Sequence, residues 1–231
     1  MMKTEINLQR EIDRIIERAR RDFKWFLFNL VYTYDFEDHA VKKFPYAKCY
    51  EILADEILNN KFILIVKSRQ VRITWFVMAY IVWLCNFYPG QFAVVKSTKY
   101  EKSAFGGSDE GEKGKVIGDL QALLSRAYFI WNNLIVGKTK CIVSRKTAQL
   151  KFEFPDGQVS IIHACSSEPE ELRQYSINLL FIDEGAFQKD AERAFWASIP
   201  TLTSDGKVII VSTPNGKNFF YNLLYDLSGR I

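Results

Sequence analysis

Two adjacent carboxylates, Asp183-Glu184, follow the apolar run Leu179-Leu180-Phe181-Ile182. A buried strand that ends this way offers one acid to the water shell of a Mg²⁺ ion and the next to an attacking water, a division of labour suited to nucleotide hydrolysis. Such chemistry also needs cations and a hydroxyl for the phosphates. The segment Lys67-Ser68-Arg69-Gln70-Val71-Arg72-Ile73-Thr74 supplies three cations and ends in a hydroxyl. A third segment, Ser212-Thr213-Pro214-Asn215-Gly216, follows the apolar run Val208-Ile209-Ile210-Val211, so another buried strand delivers hydroxyls and a turn.

These segments need a scaffold that brings them to one edge. Phe62–Val66 is a continuous apolar run of the length expected for a central parallel strand, and Thr74–Cys85 reads as a nearly all-apolar helix closed by Tyr88-Pro89-Gly90. Strand, loop and helix in that order place the loop at a helix N-terminus, where an anion is favoured. Phe92–Val95 is a further strand, Leu120–Trp131 a further helix, and residues 103–114 a glycine- and charge-rich surface loop. Gln149–Phe154 and Gln158–His163 alternate around Pro155-Asp156-Gly157, which predicts a hairpin. Helical Ala191–Ile199 separates the last two strands, and Tyr50–Leu58 forms a helix ahead of the first. The pattern is α/β, with a mostly parallel central sheet flanked by helices and an antiparallel hairpin at its edge. Ligands bind such sheets at the carboxyl ends of the strands, where all three segments lie.

Residues 8 to 31 carry apolar side chains at three- and four-residue steps and predict one amphipathic helix, expected as an appendage over residues 1–36 ahead of a domain spanning 37–231. The composition is that of a globular protein, with 48% apolar and 25% charged residues, and the net charge of +4 suits contact with phosphates without requiring it. Cys49, Cys85, Cys141 and Cys165 stand far apart and His39 and His163 complete no ligand set, so reduced thiols and no zinc are expected. The apolar run near Trp75–Cys85 is shorter than the roughly 20 residues of a membrane span, and the N-terminus has no apolar signal, so no membrane partner is expected.

Set against the phosphate-binding pattern G-x-x-x-x-G-K-[ST], the loop keeps only Thr74. Lys67, entering from the start of the loop, is the proposed replacement for the missing lysine, with Arg69 on the same phosphates. A basic surface loop without nucleotide is the competing reading of 67–74, and a strand end followed by a helix cap that of Asp183-Glu184.

In combination the motifs resemble the N-terminal ATPase domain of the large terminase subunit of tailed bacteriophages, the motor that packs DNA into procapsids. The resemblance rests on K-S-R-Q-V-R-I-T as a deviant Walker A loop, L-L-F-I-D-E-G-A-F as Walker B, and V-S-T-P-N-G as the coupling motif, over about residues 40–225. It implies a P-loop NTPase of the additional-strand type. It further implies that Thr74 and Asp183 hold Mg²⁺, that Glu184 activates water for cleavage of ATP, and that Ser212 and Thr213 sense the terminal phosphate. Residues 67–74 would form the nucleotide loop, Arg69 matching the arginine inside the family's loop and Arg173 an arginine offered to a neighbouring subunit's ATP. Arg72 and Ile73 depart from the family, most members having Gly-Lys there, and a side chain at 72 is expected to crowd the phosphate path. Phe44-Pro45-Tyr46 lies where the family contacts adenine but lacks its glutamine.

The implied partners are double-stranded DNA, the portal, the small terminase subunit and further copies in a ring, in the host cytoplasm and outside the mature virion. The family's nuclease domain is not expected in this chain, and the domain alone is expected to be a monomer with feeble turnover. Two rivals stay open: a non-catalytic module of the same fold that contacts DNA or portal, and a helicase-like P-loop ATPase.

Overall fold

Nine strands, seven α-helices and three short 3-10 helices make up the regular structure of the described residues, 2–69, 71–105, 120–134, 141–165, 175–188 and 191–225, in a computed structural model. A short two-stranded sheet, β1 (Tyr32–Asp35) against β2 (Ala40–Lys43), precedes the main sheet. The main sheet contains β3 (Phe62–Val66), β4 (Phe92–Lys96), β5 (Ile142–Lys146), β6 (Gln149–Glu153), β7 (Val159–Ala164), β8 (Ile177–Asp183) and β9 (Leu202–Ser212). Their order is β3-β9-β8-β4-β7-β6-β5. The first five in that order pair in parallel, and β5-β6-β7 form an antiparallel end built on the predicted hairpin. Strand β9 is thus inserted between the strand before the basic loop and the strand that carries the acids, the order of an additional-strand sheet.

The helices are α1 (Met2–Arg21), α2 (Phe23–Leu30), α3 (Lys48–Asn59), α4 (Ile73–Phe87), α5 (Leu123–Asn132), α6 (Ala191–Ser198) and α7 (Phe219–Leu224). Helix α4 is the spine of the larger core: Leu84 alone of its fifteen residues is not buried, as its all-round apolar sequence requires. Phe23, Phe26 and Leu27 of α2 are buried with it, Phe23 meeting Phe76 and Tyr80 edge to face at 5.8 and 5.1 Å. A smaller core lies under Val94, Leu180, Ile182, Val208, Ile210, Phe195 and Phe220.

Two expectations change. The N-terminal helix is two helices, because Asp22 leaves the helical conformation and caps α2, its carboxylate accepting from the Trp25 N–H at 2.9 Å. Strand β3 is an edge strand, with Phe62 46% and Val66 50% exposed, although its apolar run is that of a central one. Side-chain pattern reports what covers the faces of a strand, whereas its place in the order is set by backbone pairing, which among the described residues reaches only β9. The glycine-rich segment expected as a surface loop lies outside the described residues from 106 onward.

Candidate nucleotide site

Three neighbouring strand ends meet at the carboxyl edge of the sheet. Val66 pairs with Ser212, and Val211 with Asp183, so Lys67, Ser212-Thr213 and Asp183-Glu184 leave the sheet side by side. The Lys67 N–H donates to the Ser212 carbonyl at 3.0 Å, which holds the start of the loop against β9.

The hydroxyl and the first acid converge. Thr74, in the first turn of α4, donates its Oγ1 hydrogen bond to Asp183 at 3.2 Å from Oδ1 and 3.4 Å from Oδ2, and both side chains are buried. Burial pushes the Asp183 carboxyl above its ordinary value, while Lys67 and Arg126 pull it back. A buried hydroxyl beside a carboxylate is a pair of hard oxygen donors, the partial set that Mg²⁺ takes when phosphate and water fill its remaining positions. Thr74 and Asp183 therefore fit that ion; among the described residues no group of three or more His, Cys, Asp or Glu side chains forms a metal site of another kind.

Glu184 is held differently. It adopts a left-handed backbone conformation, φ 55° and ψ 42°, which costs a non-glycine residue energy and turns the chain sharply off the strand. Its Oε1 lies 3.3 Å from the Lys67 ammonium. The turn is clamped from β9 and beyond. Ser212 Oγ accepts from the Ala186 N–H at 3.0 Å, and the Asn215 and Asn218 side-chain amides donate to the Ala186 carbonyl at 3.1 and 2.8 Å. Gly185 is required for close approach, because a Cβ there would stand 2.7 Å from Ile210 Cγ2. The Ser-Thr-Pro-Asn-Gly segment thus does something the sequence did not reveal: it fixes the backbone that follows Glu184. The Ser212 hydroxyl is engaged inside the protein, donating to the Thr213 carbonyl at 2.9 Å.

The cations of the loop diverge. Arg72 turns away toward the small sheet, Nη1 donating to Thr33 Oγ1 at 3.0 Å and Nη2 to Asp35 Oδ2 at 2.7 Å. Lys42, the backbone N–H groups of Asp38 and Glu37, and Arg72 together hold the Asp35 carboxyl well below the usual carboxylate range. The expected crowding by residue 72 is relieved in this way, since its long side chain leaves along β1. Ile73 is buried, while Ser68 and Arg69 are exposed and Val71 is half-buried. Gln70 and Arg173 lie outside the described residues.

One cation was missed. Arg126 of α5 stacks over the Trp75 ring, 5.5 Å from its centroid, and its Nε donates to the Leu120 carbonyl at 2.7 Å. Burial lowers the pKa of its guanidinium, and the charges of Asp183 and Glu184 oppose that shift. No local motif marks an arginine in the middle of an amphipathic helix.

No family model matches the chain. The HK97 bacteriophage large terminase superposes with a TM-score of 0.61 at 13% identity, over 93% of this chain and 40% of that one. The fold is that of a large terminase ATPase domain. A single-residue variant of the Thermus phage P74-26 large terminase ATPase domain aligns with a TM-score of 0.56 at 15% identity, over 78% of this chain and 69% of that chain. The large terminase of a thermophilic bacteriophage, solved in complex with ADP, aligns at 0.52 and 13%, over 74% of this chain and 39% of its own. This chain therefore spans less than half of the longer terminases it resembles. In the described residues, no helix is long and apolar enough to cross a membrane.

Proposed function

We propose that this domain hydrolyses ATP to ADP and phosphate with Mg²⁺, as the motor domain of viral DNA packaging. The observation that carries the reading is the buried Thr74–Asp183 pair, 3.2 Å apart beside the Lys67–Glu184 pair, at the carboxyl edge of a terminase-type sheet. In this reading Thr74 and Asp183 hold the ion, which when bound neutralises charge on the phosphates. Lys67 serves as the phosphate cation in place of the lysine that residue 73 lacks. Its side chain stands next to Glu184, so a phosphate drawing the ammonium away leaves that carboxylate free to orient a water and accept its proton. The Ala186 clamp keeps Glu184 aimed while this happens, and it offers a physical link between the 212–218 segment and the water-orienting residue.

Loop residues Ser68, Arg69, Gln70 and Val71 complete the nucleotide contact in this proposal, and Thr213 reports on the terminal phosphate. Arg173 is assigned to a neighbouring copy's ATP, which makes the working unit a homo-oligomeric ring on double-stranded DNA at the portal, with the small terminase subunit as a further partner, in the host cytoplasm. The N-terminal 36 residues are assigned to the same unit as an accessory segment. The test is phosphate release at high protein concentration with Mg²⁺: wild type is expected to exceed Glu184→Gln by about 100-fold or more. Equal release by the two would leave a non-catalytic module. Movement along intact duplex without unwinding a fork distinguishes the packaging motor from a helicase.

A further inference from the structure

Among the described cations on the elements around the carboxylates, Arg126 is one that the nucleotide reading has not used. Arg72 is committed to Thr33 and Asp35, Arg69 is exposed, and Lys67 pairs with Glu184. Arg126 is placed by two restraints that leave its tip available. Its guanidinium carbon lies over the ring of Trp75, the residue next to Thr74, and Nε is tied to the Leu120 carbonyl. Among the described residues, no hydrogen bond or ion pair reaches Nη1 or Nη2. A guanidinium carries five N–H donors, so four remain on the two terminal nitrogens, in the fork geometry that matches two oxygens of one phosphate. Both Asp183 and Glu184 act on its charge, yet neither forms an ion pair with it, so the guanidinium stands near the acids without being neutralised by direct contact.

Pre-ordering matters here. A surface arginine must surrender rotamer freedom to bind, whereas one already stacked on an indole and bonded through Nε has lost most of that freedom beforehand. Helices α4 and α5 pack against each other, so the guanidinium is fixed relative to the Thr74 hydroxyl. In the nucleotide reading Glu184 orients the attacking water and so marks the terminal-phosphate end of the site, and its charge acts on Arg126.

We propose that Arg126 is a phosphate ligand acting within its own subunit, its Nη donors taking oxygens of the terminal phosphate of a nucleoside triphosphate. This rests on the nucleotide reading of the site. It assigns to α5 a cation that the loop fails to provide at residues 72 and 73.

The test is calorimetric titration of the intact chain with Mg²⁺-ATPγS and, separately, Mg²⁺-ADP, on wild type, Arg126→Met and Arg126→Lys. Methionine keeps an apolar stem over Trp75 and removes the donors; lysine keeps the charge and loses the fork. Arg126→Met is expected to weaken ATPγS binding by about tenfold or more, since charge-assisted bonds are lost, and ADP binding by less than about threefold. Arg126→Lys should fall between. A role in packing alone would weaken both nucleotides alike and lower the melting temperature of the nucleotide-free protein, so the ATPγS-to-ADP ratio is the deciding readout. If Arg126→Met does not fold, the same ratio in Arg126→Lys decides. An unchanged ratio in a folded variant overturns the proposal while leaving the nucleotide reading intact. Failure of wild type to bind either nucleotide overturns that reading, and the assignment of Arg126 with it.

Discussion

The acids and the cations of this site are assembled in opposite ways. Asp183 and Glu184 are chain neighbours on one strand end, and their surroundings are set by what touches that end: Thr74 on one acid, Lys67 on the other. The cations arrive separately, Lys67 from the end of β3 and Arg126 from a helix near the middle of the chain, while Arg72, which sits in the loop itself, is drawn off to β1. The two acids are adjacent on one strand end, so local sequence encodes them together. Cations need only reach an extended polyphosphate, and any element that borders the site can supply one. The acids are thus placed by one strand end, and the cations by three separate elements.

Substitutions on each side should differ in kind. Glu184→Gln is expected to have the largest effect, a loss of about 10²- to 10⁴-fold in phosphate release with ATPγS affinity retained, as read by phosphate release and calorimetry in parallel. Retained hydrolysis would show that the acid side does not act as a unit. Lys67→Met is expected next, with about tenfold or more loss of nucleotide affinity, checked by titration with Mg²⁺-ATPγS. An unaltered affinity would leave Arg69 as the loop's cation on the phosphates.

Asp183→Asn sharpens the contrast through stability. Burial raises the carboxyl pKa above 3.8, so between that value and the folded-state value the folded protein binds more protons than the unfolded chain. Stability from this group is complete below the ordinary carboxylate range and is lost as the pH rises through the folded-state value. At pH 7, above the range in which the unfolded chain's carboxyl titrates, burial of this group is a burden, and the amide should raise the melting temperature by about 2–4 °C, the effect of roughly 1 kcal/mol in a chain of this size. The gain should shrink in scans below pH 3.8 and vanish about one pH unit lower, where the aspartate is protonated in both states. Mg²⁺-dependent hydrolysis should be lost at the same time. Arg72→Ala should have the smallest effect on the chemistry, changing ATPγS affinity by less than about threefold while lowering the melting temperature by a few degrees, since its bonds go to Thr33 and Asp35. A tenfold loss of affinity would put Arg72 back among the phosphate ligands.

Helix α4 and the inner strands β8 and β9 were legible because their apolar residues are buried, and the hairpin because its strands alternate around a turn. The nearly all-apolar run of α4, the hairpin around Gly157 and the runs at β8 and β9 read directly as structure. Strand β5 was missed, since Ile142–Lys146 is an edge strand with little buried surface and a weak alternation. The break at Asp22 was missed as well, because the apolar periodicity continues through it while the capping carboxylate interrupts only the backbone.

Chemistry that depends on neighbouring residues was determined by the sequence alone: the acids after an apolar run, the hydroxyl opening a helix, the second hydroxyl-bearing strand end. Tertiary structure decided the rest. It inserted β9 between β3 and β8, turned Arg72 outward, brought Ser212, Asn215 and Asn218 onto the turn after Glu184, and carried Arg126 to Trp75. The reason is the range of the forces involved. Burial and backbone geometry act within a few residues and leave a periodic trace, whereas hydrogen bonds between strand ends and the stacking of one cation on a distant indole exist only after the chain has folded.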